Sequence, residues 1–320
     1  MRKFVVTGAA GFVGARICQK LLQSGHKVTG FDALNSYYDP AIKRRRISQL
    51  CTYDAFAFSS VDIRSEEFLS SLEPETTIYH QAGQPGVRSS WSSGFEDYVA
   101  NNIIGTQMLL ERLRGLAGVK LVYASSSSVY GNQAHFPCDE TAVPHPYSPY
   151  GVTKLGAEHL VSLYAENFGV DTVSLRYFTV YGPGQRPDMA FTRFINAILS
   201  GGSIEIYGDG EQRRDFTYVD DIVEANLAAA ERDTEPGVIY NVCGGSIVSV
   251  NETVELLAAI SGKPVNIKHI GTSFGDVRET GGDNTRIRSD LSWSPSVRIA
   301  DGLRMQYERQ VEDFRAFNGG

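Results

Sequence analysis

The sequence predicts an α/β fold: a doubly wound parallel sheet followed by a smaller C-terminal lobe. Three observations carry that expectation. Short, β-branched apolar runs alternate with segments of helical periodicity through the first half of the chain, the pattern of parallel strands covered on both faces. A glycine-rich turn joins the first apolar run to the first helical segment. Beyond Phe178 the rhythm loosens into Gly- and Pro-rich loops at 181–184, 201–202 and 244–245. The 320 residues, 42% hydrophobic and 21% charged, are ample to bury such a core and exclude disordered, collagen-like and coiled-coil chains.

Taken in order, strands are predicted at 3–7, 27–31, 55–59, 76–80 and 120–125, where β-branched and aromatic residues cluster between turn signals. Helices are predicted at 14–24, 98–113 and 150–168 from their periodicity. In 41–50, Ile42, Ile47 and Leu50 share one helical face. The run Lys43, Arg44, Arg45, Arg46 is then expected in solvent, not on a polyanion.

Thirty Lys and Arg against 37 Asp and Glu give a net charge of −7, which argues against sequence-independent nucleic-acid binding. The four cysteines (Cys18, Cys51, Cys138, Cys243) never stand in Cys-x-x-Cys spacing, and His135, His145 and His159 lie in no ligand spacing, so no metal is expected. No apolar run reaches the roughly 18 residues of a membrane span, and the first strand begins too early to leave room for a signal peptide. A soluble, cytoplasmic protein with no membrane partner is expected.

The turn after the first strand reads Thr7, Gly8, Ala9, Ala10, Gly11, Phe12, Val13, Gly14. Glycines here allow a tight turn, close approach of backbone N–H groups to a pyrophosphate, and packing of helix on strand, while the helix N-terminus adds its partial positive charge. Asp32, at the end of the second strand, is positioned to accept from adenosine ribose hydroxyls. An acid there repels a 2′-phosphate, and Ala33, Leu34 and Asn35 supply no arginine, so NAD is favoured over NADP. The predicted sheet is therefore of the Rossmann type.

Tyr150 and Lys154 are four residues apart on a predicted helix and share a face. An ammonium near a phenol stabilises the phenolate, lowering its pKa and fitting it to act as a base. Upstream, a strand ends in Ser125, Ser126, Ser127 and Ser128, at the sheet edge where ligands bind in such folds.

Together, the glycine turn, Asp32, the 125–131 serine segment and the 150–154 motif make the chain resemble the extended short-chain dehydrogenase/reductase family, in its nucleotide-sugar epimerase branch. The resemblance extends over essentially the whole chain. His80, Gln81, Ala82 and Gly83 resemble the segment that touches NAD, and 102–106 the helix start beside it. Tyr207, Gly208, Asp209, Gly210 and then Arg214, Asp215, Phe216 resemble the nucleotide-diphosphate site. The resemblance implies Ser126, Tyr150 and Lys154 as catalytic residues. It implies NAD contacts from Gly8, Gly11, Phe12, Val13, Gly14, Asp32, Asp62, Ile63, Gln81, Ala82, Gly83, Asn102, Ser125, Tyr150, Lys154 and Tyr177. Substrate contacts are expected from Arg88, Ser127, Ser128, Thr179, Arg186, Arg193, Tyr207, Arg214 and Arg278. Residues 1–177, with returning segments about 217–245, would bind NAD. Residues 178–216 and 246–320 would form the substrate-binding lobe.

The family's 4,6-dehydratases carry Asp-Glu after the catalytic hydroxyl and its decarboxylases a Glu at the position of Ser128; this chain has Ser127 and Ser128. Epimerisation at C4 of a UDP-sugar through a transient 4-keto form remains. The 35–40 insertion, Thr179 where galactose-type epimerases more often have Asn, and Arg186 resemble the uronate enzymes, so UDP-glucuronate to UDP-galacturonate is expected. UDP-glucose/UDP-galactose 4-epimerase is the alternative, then UDP-glucuronate decarboxylase. Ser127, Ser128, Thr179 and Arg186 could hold the C5 carboxylate of such a substrate, with a phosphate or Asp188 as the competing partners of Arg186, and Tyr207 is as well suited to core packing as to stacking on uracil. Relatives of this fold pair through two helices, here 98–113 and 150–168, so a homodimer is expected.

Overall fold

A computed structural model describes residues 3–271 and 275–318. Its first half runs β1 (Lys3–Thr7), α1 (Phe12–Gln23), β2 (Val28–Phe31), α2 (Pro40–Leu50), β3 (Phe56–Ser59), α3 (Glu66–Ser71), β4 (Thr76–His80) and α4 (Phe95–Tyr98). A π-helical stretch, Val99–Ile104, leads from α4 into α5 (Gly105–Leu113), then β5 (Lys120–Ser126), α6 (Pro149–Phe168) and β6 (Asp171–Tyr177). The remainder is β7 (Thr179–Tyr181), α7 (Ala190–Ser200), β8 (Ser203–Tyr207), β9 (Arg213–Tyr218), α8 (Val219–Glu231), β10 (Val238–Val242), β11 (Ile247–Ser249), α9 (Val250–Ser261), β12 (Asn266–Ile270), α10 (Thr285–Leu291) and α11 (Ile299–Asn318).

The central sheet is parallel throughout, with seven strands in the order β10-β6-β5-β4-β1-β2-β3, as the α/β reading predicts. The chain winds outward one way from β1 and the other way from β4, so a crevice opens at their carboxyl ends. Hydrophobic clusters fill both faces of this sheet. One is built on Val6, Ile17, Val122, Leu175 and Ile222, the other on Ile78, Leu109, Leu121, Ala157 and Val161. Smaller sheets, β11-β9-β7 and β12-β8, lie against a third core around Phe191, Ile195 and Ile206. Ile287 and Leu291 of α10 join the first core of the large sheet, not the third.

Local chemistry sets the boundaries. α6 starts at Pro149, one residue before the expected start, because Ser148 caps it: its Oγ accepts from Gly151 N at 3.1 Å, and proline fits the first turn. α1 starts at Phe12, two residues early, on an extended Gly11. The helix expected at 98–113 is helical but not uniform. Its π-turns carry the buried Asn102, which donates to Gln84 O and Thr153 Oγ1 and accepts from Gln84 N.

The basic run of α2 is not wholly solvated, which corrects the sequence reading. Lys43 falls one turn before Ile47 on the apolar face and is 5% exposed, its ammonium donating to Asn35 O (3.0 Å) and Oδ1 (2.6 Å). Arg46 is half-buried, donating to Ala10 O, Tyr38 Oη and Gly184 O; only Arg44 and Arg45 face solvent. Among the described residues no helix is long and apolar enough to cross a membrane.

Candidate active site

The carboxyl ends of β1, β2, β4, β5 and β6 open into one cleft of about 730 Å³. At one end lies the glycine turn. Gly8 has φ +69°, and a Cβ there would meet Ala82 N and Gln81 C at 2.8 Å. A Cβ on Gly14 would meet the Gly8 carbonyl at 2.2 Å, so helix and strand approach as only glycine permits. No side chain caps α1 and its first turn carries no acid, so its backbone N–H groups are free for an anionic ligand.

At the end of β2 the Asp32 carboxylate accepts from Leu34 N (2.8 Å) and Ala10 N (3.1 Å) and lines the cleft. Lys43 lines it too; burial lowers its pKa and the charge of Asp32 works against that. Asp62 and Ile63 form the adjoining wall. The Asp62 carboxyl is held below its usual range, chiefly by hydrogen bonds from Arg64 at 2.6 and 2.9 Å. Gln81 Nε2 donates to Tyr177 Oη (3.0 Å) and Asn226 Oδ1 (3.1 Å), tying β4, β6 and α8 behind the cleft.

In the middle stand the hydroxyls. β5 continues through Ser126, whose Oγ accepts from Ser128 N at 3.1 Å, and a 3₁₀ turn then presents Ser127 and Ser128. Across from them α6 supplies Tyr150 and, one turn on, Lys154. The Lys154 ammonium donates to Ala124 O and lies 4.5 Å from the Tyr123 ring centre. Burial pushes its pKa down to about 7, and the charge of Glu158 opposes the fall. Burial raises the Tyr150 phenol, a hydrogen bond with Ser126 and then the charge of Arg186 lowering it. This corrects the expectation of a lowered phenol: desolvation outweighs the Ser126 hydrogen bond and the charge of Arg186.

Of the expected site residues, Gly8, Gly11, Phe12, Val13, Gly14, Asp32, Asp62, Ile63, Gln81, Ala82, Gly83, Asn102, Ser125, Ser126, Ser127, Ser128, Tyr150, Lys154, Tyr177, Thr179, Arg88, Arg186 and Arg214 all line this cleft. Arg193, Tyr207 and Arg278 do not. Arg193 pairs with Glu205 at 3.3 Å, and Arg278 with Asp209 at 2.8 Å. The Tyr207 ring is covered by Arg88, whose guanidinium lies 3.9 Å from its centre. Arg186 donates to both carboxylate oxygens of Asp188, at 3.0 and 2.9 Å, and Arg214 pairs with Asp276. Sequence reasoning missed Lys43, Ser148 and Asp188 as lining residues. For Lys43 the signal was there: it shares a helical face with Ile47. Among the described residues no group of three or more His, Cys, Asp or Glu is arranged to hold a metal.

Residues 4–243 match the model of the NAD dependent epimerase/dehydratase family. The chain is 38% identical over 302 residues to a Bacillus subtilis protein named as an uncharacterized UDP-glucose epimerase, covering 94% of this chain and 95% of that one. It is 38% identical over 308 residues to the UDP-glucuronate 4-epimerase of Thermodesulfobacterium geofontis, covering 95% and 94%. In structure it resembles the UDP-glucuronic acid 4-epimerase of Bacillus cereus crystallised with UDP-glucuronic acid and NAD. That likeness has a TM-score of 0.92 and 39% identity, over 97% of this chain and 99% of the other.

Proposed function

Since the chain belongs to the NAD dependent epimerase/dehydratase family, we propose that it is a UDP-glucuronate 4-epimerase, interconverting UDP-glucuronate and UDP-galacturonate with a tightly held NAD. The observation that carries this reading is the convergence of Ser126, Ser127, Ser128, Thr179, Tyr150 and Lys154 on one cleft that ends at the glycine turn. NAD fits the residues present. Gly8 and Gly14 leave room that a Cβ would close, the N-terminus of α1 suits a pyrophosphate, and Asp32 suits the adenosine ribose. Bound NAD supplies the group that takes a hydride from C4 and returns it.

The chain's residues handle the proton and the geometry. Tyr150 takes the 4-hydroxyl proton as C4 is oxidised and gives it back to the same oxygen on reduction. Ser126 holds that oxygen, and the Lys154 ammonium stabilises the phenolate that forms. A 4-keto uronate is a β-keto acid, which loses CO2 readily when its carboxylate bond stands perpendicular to the keto plane. Hydroxyls of Ser127, Ser128 and Thr179 would hold the carboxylate away from that orientation; a carboxylate desolvated without partners is strongly unfavourable. Arg186, paired with Asp188, supports the phenolate by its charge and serves the carboxylate only if that pair opens. Arg88 and Arg214 line the same cleft and suit the diphosphate.

Proton NMR of UDP-glucuronate with purified protein and no added cofactor is expected to show UDP-galacturonate. Conversion of UDP-glucose instead, with UDP-glucuronate untouched, would refute the uronate reading. Ser127→Ala combined with Thr179→Ala is expected to lower turnover roughly tenfold or more and to release some UDP-pentose. Unchanged turnover without pentose would remove the carboxylate role.

The reading extends to assembly and location. Ile104 in the 98–113 helical segment and Val152, Leu163 and Phe168 on α6 are large apolar side chains left 46–52% exposed, which supports a homodimer pairing these helices into a four-helix bundle. Sedimentation equilibrium is expected to give twice 35.1 kDa, and a monomer at micromolar protein would exclude it. We assign the NAD half to 1–177 and 217–245 and the sugar-nucleotide lobe to 178–216 and 246–320, with α10 packed on the NAD half. Limited proteolysis releasing a fragment with another boundary would redraw it. A cytoplasmic location agrees with four free cysteines and is checked by cell fractionation.

A further inference from the structure

Lys154 occupies a place where an ammonium has little to keep it charged. From β4 it faces His80, whose ring is bonded to Thr7 and Thr106 and whose pKa burial pushes down to about 3, so it is neutral. From β5 it faces the Tyr123 ring and the Ala124 carbonyl. On its own helix Tyr150 lies one turn back and Glu158 one turn on. Among these groups Glu158 is the one formal anion.

Glu158 is 1% exposed and its carboxylate accepts three hydrogen bonds. Oε1 accepts from Arg176 Nη2 at 2.6 Å; Oε2 accepts from Arg176 Nε at 3.0 Å and from Ser125 Oγ at 2.6 Å. Arg176, on β6 and equally buried, also donates to Tyr130 Oη at 2.7 Å. A pair so deeply buried is a weak device for docking a helix on a sheet, because apolar residues of similar volume commonly serve stability as well or better. A carboxylate can do two things here that leucine cannot. It sets the electrostatic potential at the next cation along the helix, and it fixes the hydroxyl next to Ser126.

We propose that Glu158 is a positioning residue for the C4 reaction: anchored by Arg176, it keeps Lys154 an ammonium beside Tyr150 and, through Ser125, holds the strand end that carries Ser126. The proposal rests on the epimerase reading above. Its sign is definite. Burial already brings the Lys154 pKa to about 7 with Glu158 opposing. Without the carboxylate that pKa falls further, the ammonium is lost at lower pH, and the high-pH limb of turnover moves toward acid.

The test is the pH profile of kcat and KM for Glu158→Leu combined with Arg176→Met, run beside the native enzyme on whichever of UDP-glucuronate and UDP-glucose the native enzyme converts. The expected result is a folded protein by near-UV circular dichroism, KM within about threefold of native, kcat at pH 8 at least tenfold lower, and the high-pH limb lower by about one pH unit. A folded double variant with the native profile would reduce the pair to an anchor of α6 and overturn the proposal. Should that variant not fold, Glu158→Gln and Glu158→Asp decide: the limb moves only in the neutral one, and equal movement or none in both overturns the idea. A native enzyme that converts UDP-glucose alone sinks the uronate reading but leaves this test intact; one inactive on both sugars sinks both.

Discussion

Tyr150→Phe is expected to lower kcat about a thousandfold while leaving substrate and cofactor in place. The substitution removes one oxygen and keeps the ring, which packs edge-on against Tyr98 at 6.1 Å between centres. The phenol it removes has a hydrogen bond with Ser126 and the charges of Arg186 and Tyr37 acting on it. His80, the histidine near Lys154, is buried, neutral and bonded on both nitrogens, so it is unfit to stand in as a base. KM and the amount of NAD that copurifies should therefore change little, with the loss confined to turnover, the signature of an interaction made at the reacting atoms. A variant that turns over at the native rate would remove Tyr150 from the chemistry. One that loses bound NAD and substrate together would make its role structural.

Lys154→Met is expected to abolish most turnover, by about a hundredfold or more, and to raise thermal stability. In the unfolded chain this lysine titrates near its ordinary value of 10.5; folded, burial brings it to about 7. Between those pH values the unfolded state binds more protons, so the native protein gains stability as pH rises through the window and carries the full penalty below it. Methionine matches the stem of the lysine and removes the charge. Its advantage should therefore be largest near pH 6, where a Tm gain of roughly 3–6 °C is expected, and should fade toward pH 10. The gain is limited by losing the bond to Ala124 O and the contact with the Tyr123 ring. A Tm below native at both ends of the range would show that the ammonium's contacts outweigh its desolvation.

What was legible in the sequence is what short spacing encodes. The glycine turn, Asp32, the serine run and the Tyr150–Lys154 pair each consist of a few residues on one turn or one helix, and periodicity then fixes the class of sheet that presents them. Pairing between long side chains from distant segments is not written that way. Arg193, Arg214 and Arg278 are all candidate phosphate ligands in sequence, Arg214 the best placed by motif. In the fold each is committed to an acid, Glu205, Asp276 and Asp209, and only Arg214 reaches the cleft. Lys43 was hidden differently: a run of four basic residues reads as one solvated face, yet α2 turns about 100° per residue, burying Lys43 and half-burying Arg46. The Tyr150 pKa was misjudged because the charge of a neighbour is visible in sequence and the depth of burial is not.

The strand order has a consequence for synthesis. β6 is complete at Tyr177, but the strand that covers its outer edge, β10, ends at Val242. A chain leaving the ribosome therefore holds six strands of a parallel sheet with an open edge while the intervening residues are made. That edge presents unpaired amides and carbonyls beside the apolar side chains of Val173 and Leu175. Until β10 arrives, that edge is open to pairing with another chain, and protection by a chaperone is expected to matter within that interval of translation.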